Sequence, residues 1–226
     1  MTPPDASERQ GRIERLTSGL AEHLLAAGVD GHGRLPSAAD VAKREIARGG
    51  DHDAVVARIV NRHTALAGGE GFVTGLGGIV TLPVAIPANI IGFYVLATRM
   101  TASIAAASGY DVADPAVRSA VLLCLSGQDA NDILRTVGLG TGGTHIATRA
   151  LSGLPPSVLM VVNKGVAFRI MTQLGKRSLN WLGRGVPIAG GVIGAGLDAV
   201  LIRRIAKIAR EQFPPVADTA ATATDG

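Results

Sequence analysis

Ile13, Leu16, Leu20 and Leu24 recur at intervals of three and four, which places them on one face of a helix. Helix starts are legible further along the chain. Ser37, with Asp40 three residues on, predicts a capping box ahead of a helix over Val41–Ala47, because a side-chain oxygen accepts from an N–H that the first turn leaves unpaired. Asp51 predicts a cap for a helix carrying Val55, Val56, Ile59, Val60 and Leu66. Asp114-Pro115 pairs an N-cap residue with proline at the first helical position, and predicts a helix through Val117, Val121 and Leu125. Asp129 or Asn131 is expected to open a short helix. Ser157, after Pro155-Pro156, is expected to cap a helix over Val158–Leu174, and Pro187 to begin a last long helix ending near Phe213. No segment alternates as a strand would, and no fixed-period repeat is visible.

The central segment stands apart. From Gly71 to Thr98 there is no charged residue, with Glu70 and Arg99 at its flanks. About 20 apolar residues suffice to span a bilayer, so length alone would permit a span. Pro83 and Pro87 each remove a backbone bond, and Gly71, Thr74, Gly75, Gly77 and Gly78 lower helix propensity. The expectation is a short Gly-rich helix, a Pro-bounded turn at Thr81–Pro87, and a helix from about Ala88 to Ser108. That helix is apolar nearly all round apart from Asn89 and Arg99, as a buried central helix should be. The expected fold is all-α: a glycine-rich multi-helix bundle with a buried, Pro-broken central apolar helix. Its expected parts are a disordered start (1–8), N-terminal amphipathic helices (9–67), a helical domain (68–213) and a disordered tail (214–226). The alternative is a hairpin or span within 71–106, which would make the protein integral to a membrane.

Composition sharpens this picture. Aromatic residues are only 3% of the chain and glycines number 30, so Ala, Val, Ile and Leu must fill the core. Gly71 and Gly75, and again Gly190 and Gly194, lie four apart, a spacing that lets another helix backbone approach closely. Such strips serve membrane helix association or tight packing in a core poor in large side chains. Net charge is +4, and its distribution is uneven. Residues 164–210 carry nine Lys/Arg against Asp198 alone, which points to an acidic partner. In the terminal helix Leu197, Val200, Leu201, Ile205 and Ile208 are expected to form an apolar stripe. Arg203, Arg204, Lys207 and Arg210 gather on the other side, an arrangement suited to an anionic membrane surface.

Reactive chemistry is sparse. The lone Cys124 has no intrachain partner and reads as a small core residue, consistent with a cytoplasmic home. Met1–Gly11 has no apolar run, so no secretory signal is expected. Arg outnumbers Lys and Ala is abundant, which suggests a bacterial source with a GC-rich genome. The run Gly138-Leu139-Gly140-Thr141-Gly142-Gly143 lacks the preceding strand that a dinucleotide-binding loop requires. The five histidines are scattered, and no metal, cofactor or catalytic residue is expected. A hydrolytic alternative would need Asp111, Asp129, Asp132 or His145 to converge in one pocket. Nucleic acid is not expected as a partner, since no aromatics interleave with the basic residues.

Four pieces in order carry a family resemblance: Gly75-Leu-Gly-Gly-Ile-Val-Thr-Leu-Pro83; the helix ending Ile104-Ala-Ala-Ala-Ser-Gly-Tyr-Asp111; Asp114-Pro-Ala-Val-Arg118; and Val186-Pro-Ile-Ala-Gly-Gly-Val-Ile-Gly-Ala-Gly196 leading to a basic helix closing at Phe213. Together they resemble the EcsC family over about Gly68–Phe213. Many members of that family carry an acidic residue just after the Thr-Leu-Pro-hydrophobic step, where this chain has Ala85. The family is named for a product encoded beside an ABC transporter. The resemblance implies a helical, membrane-associated accessory protein and transfers no catalytic residue. The leading expectation is a non-enzymatic peripheral membrane or lipid-interacting protein, cytoplasmic and at the inner face of the cell membrane. Its expected partner is an anionic membrane surface or lipid, or a helical protein if it is instead a soluble adaptor.

Overall fold

The structure, a computed structural model, describes residues 5–68, 88–139, 151–182 and 190–216. Among these residues the chain is all helical: α1 (Ala6–Leu25), α2 (Ala38–Ala47), α3 (His52–Gly68), α4 (Ala88–Ala107), α5 (Pro115–Ser126), α6 (Ala130–Thr136), α7 (Pro156–Leu182) and α8 (Gly190–Gln212). A π-helical turn, Ala26–Asp30, continues α1. One isolated bridge, His32 to Leu35, is the β-pairing seen among the described residues.

The locally encoded starts form as the sequence predicts. The Ser37 hydroxyl accepts from the Asp40 N–H at 3.1 Å and donates to the Asp40 carboxylate at 2.7 Å. Asp51 accepts from Ala54 N–H at 2.8 Å, and Asp114 from Ala116 N–H at 2.7 Å. Each bond satisfies a donor with no partner inside the helix, a contribution of about 1 kcal/mol per cap. Two starts differ from expectation. α7 begins at Pro156 and runs through Leu182, so Ser157 lies inside its first turn, where Val158 N–H already bonds to Pro155 O at 2.9 Å. The Asp129 side chain makes no cap for α6; it pairs with Arg169 instead.

Helix α4 is the centre of the bundle. It packs against α1, the π-turn, α2, α3, α5 and α8. Every residue from Tyr94 to Ala105 is buried, which explains why its sequence has no polar face. Ile91, Leu96, Met100 and Ile104 are among the largest fully buried side chains. Each adds about 1.5–3 kcal/mol by leaving water. On one flank α1, α5 and α7 pack together; on the other α3 contacts both α2 and α8.

The inward stripes shift slightly from the expected ones. Ile13 and Leu66 are exposed at 44% and 42%, while Thr17, His63 and Thr64 are buried on α1 and α3. On α8 the buried set is Ile202, Ile205, Ala206, Ala209 and Phe213, and Val200 is 63% exposed. At the C-terminal end Val216 N–H bonds to Ser108 O at 3.0 Å, and Tyr110 meets Phe213 edge-on. No described helix is long and apolar enough to cross a membrane. The expected Gly-rich helix, the turn at Thr81–Pro87, the pair Gly71 and Gly75, His145 and Pro187 lie outside the described residues. Gly190 and Gly194 fall within the first turns of α8.

Candidate functional site

On α8 the four basic residues singled out from sequence are all exposed: Arg203, Arg204, Lys207 and Arg210. A helix turns about 100° per residue, so positions 200, 203, 204, 207 and 210 share one side, opposite the buried 202, 205, 206, 209 and 213. Among the described residues no ion pair engages any of the four. The apolar side of α8 packs on α3, α4 and α5. The apolar side of α8 therefore serves the protein core, and the basic side, with Val200, faces outward.

A second feature was not foreseen. Between α1, α5 and α7 lies a cleft of about 310 Å³, lined by Ser18, Ala21, Glu22 and Leu25 from α1, Pro115, Arg118 and Ser119 from α5, and Pro156, Leu159, Met160, Asn163 and Lys164 from α7. The spacings are helical, three or four residues apart, so each helix offers one face. Ser119 is fully buried, yet its hydroxyl has no hydrogen-bond partner; the same holds for the buried Oδ1 of Asn163. At the mouth, Arg118 is held by Asp30 through two bonds of 2.7 Å. That grip keeps the Asp30 carboxyl below its usual range. Neither Glu22 nor Lys164 takes part in an ion pair among the described residues. Met160 at the cleft is 53% exposed, and Val161 and Phe168 of the same helix are exposed at 53% and 49%.

The bundle interior also holds polar groups. Glu45, 1% exposed, meets Arg48 at 3.0 Å, Arg58 at 3.3 Å and Arg62 at 3.7 Å. Arg99 is 4% exposed and donates to Ala27 O at 3.0 Å, while its Nε has no partner. Burial, with a smaller effect of Arg62, lowers the pKa of Arg99. His63 is 1% exposed, and its Nδ1 lies 2.7 Å from Ile59 O, so that nitrogen carries the proton. Burial pushes His63 down to about 4, which leaves the ring neutral at pH 7. Burial also pushes the Cys124 thiol up to about 12.

The carboxylates of the hydrolytic alternative do not meet. Asp111 precedes α5, where its carboxylate accepts from Ala113 N–H at 2.9 Å. Asp129 follows α5 and pairs with Arg169 at 2.6 Å. The 12 residues of α5 separate the two by roughly 18 Å. Asp132 is exposed and pairs with Arg135 at 3.8 Å. Among the described residues no three His, Cys, Asp or Glu side chains are grouped to hold a metal ion.

The model of the EcsC protein family matches residues 42–139. Over those residues the chain is similar to the EcsC family. The match runs from α2 to just past α6, so it includes the buried α4 and the α5 wall of the cleft. It starts before the stretch recognised from the sequence motifs and stops before α7 and α8. The searches of curated proteins and of solved structures find no match.

Proposed function

We propose that this chain is a non-enzymatic accessory protein of the EcsC type that binds the anionic inner face of the cell membrane peripherally, through the outward side of α8. The observation that carries this reading is the set of four exposed cations, Arg203, Arg204, Lys207 and Arg210, with no ion pair to a described carboxylate. Basic residues close to an acidic leaflet contribute about 1 kcal/mol each, and the attraction weakens as salt screens it. Because the apolar side of α8 is occupied inside the bundle, attachment rests on charge, and alkaline carbonate should release the protein.

Vesicle flotation tests the reading. The protein should rise with phosphatidylcholine vesicles containing phosphatidylglycerol at low salt, and less so at physiological salt. Changing all four residues to Glu should abolish flotation without lowering the melting temperature, since none of the four is in the core. Absence of flotation by the unaltered protein at low salt, or flotation by the charge-reversed protein, refutes the reading.

A further inference from the structure

We infer that the basic side of α8 selects lipids whose headgroup is a phosphate monoester, held among Arg203, Arg204 and Lys207; this selectivity rests on the peripheral attachment proposed above.

Lys207 follows Arg203 by four residues and Arg204 by three, and Arg210 follows Lys207 by three. Side chains at those spacings are neighbours on a helix, with Cβ atoms about 5–6 Å apart. Like charges so placed repel and work against the helix. No acidic residue stands three or four positions from Arg203, Arg204 or Arg210 to relieve them. Glu211 stands four after Lys207, and no ion pair joins the two among the described residues. Lys207 is thus the hub of an exposed cation cluster whose repulsion an outside anion would relieve.

The make-up of the cluster favours one kind of anion. An arginine fork donates two parallel N–H bonds to two oxygens on one phosphorus, and an ammonium adds a compact charge beside them. A phosphate diester offers two free oxygens and a single charge. A phosphate monoester offers three oxygens and a charge of about −1.5 to −2 at pH 7. Two forks and an ammonium within about one helical turn match the monoester in charge and in donors, and oversupply the diester. Val200, 63% exposed, lies on the same side one turn ahead of Arg204. An apolar side chain beside the cations fits the boundary between headgroups and acyl chains, and favours a lipid over a free phosphate.

Flotation of the full chain tests the inference. Phosphatidylcholine vesicles carry either phosphatidic acid, a monoester, or phosphatidylglycerol, a diester, adjusted to equal measured surface potential. The protein should bind the phosphatidic acid vesicles about fivefold more tightly, the worth of one further charge pair at the surface. Lys207→Gln should remove that preference and leave residual binding to both. Arg210→Gln should weaken both alike and keep the preference. All these positions are exposed, so the variants should fold. Equal binding of the two lipids by the unaltered protein overturns the inference and leaves peripheral attachment standing. A preference that survives Lys207→Gln overturns it too. Flotation with neither lipid at low salt refutes the attachment and the selectivity together.

Discussion

Gly28 brings the backbone of the π-turn close against α4. A methyl group placed there would lie 2.6 Å from both Cβ and Cγ2 of Thr98 and 3.2 Å from Val95 O. Ordinary carbon contacts begin near 3.5 Å, so the π-turn and α4 must part by roughly 1 Å. Rotating Thr98 cannot relieve the clash, because Cβ is fixed to the α4 backbone and Thr98 Oγ1 is tied to Tyr94 O at 2.7 Å. Packed interiors resist such displacement, and overpacking by a single methyl group costs typically 1–3 kcal/mol. With both neighbours this close, Gly28→Ala should destabilise the protein by about 3 kcal/mol. For a chain of this size that is a melting temperature lower by roughly 10 °C. Gly19 supplies the control. It lies in the interior of α1 with nothing within 4 Å of its notional methyl, so Gly19→Ala should stabilise by about 0.5–1 kcal/mol through helix propensity. Urea unfolding followed by circular dichroism measures both, with unchanged slopes. If Gly28→Ala unfolds at the same urea concentration as the unaltered protein, or if the two variants shift in the same direction, the close approach is not a constraint.

Three further outcomes follow from the buried polar groups. His63 titrates near 4 when folded and near 6.5 when unfolded, so between those values the unfolded chain binds the extra proton. Stability should be complete above pH 6.5 and fall by about 3 kcal/mol on acidification to pH 4, and His63→Gln should remove that part of the pH dependence in melts. Glu45→Ala leaves Arg58 and Arg62 facing a buried void without their carboxylate; it should cost about 2–3 kcal/mol, less than a fully buried pair, since Arg48 and Arg62 reach water. Cys124 should stay unreactive toward a thiol reagent in the folded protein and react at the rate of unfolding, as measured by absorbance; prompt reaction under native conditions would contradict its burial.

How far the sequence reached depended on distance along the chain. The caps at Ser37, Asp51 and Asp114 were readable because each bond closes within three residues. The helix from Ala88 was readable because burial on every side requires apolar residues on every side, a pattern that survives without knowing the neighbours. The outward position of Arg203, Arg204, Lys207 and Arg210 followed from helical periodicity alone, whereas the identity of the buried stripe did not. Val200 and Ile202 are both aliphatic, and only the placement of α3, α4 and α5 decides that Ile202 turns inward.

The sequence by itself determined an all-helical chain, the start of several helices, an uncharged central helix and a basic terminal face. These depend on local bonding and on periodicity. The packing of distant helices decided the rest: Arg118 with Asp30, Arg169 with Asp129, Gly28 against α4, and the meeting of Ser119, Asn163, Glu22 and Lys164 around one cleft. A lone serine in an apolar helix and an asparagine on another carry no mark of each other. Their relation exists only once three helices are brought side by side, because a cavity is a property of the space between elements and not of any one of them.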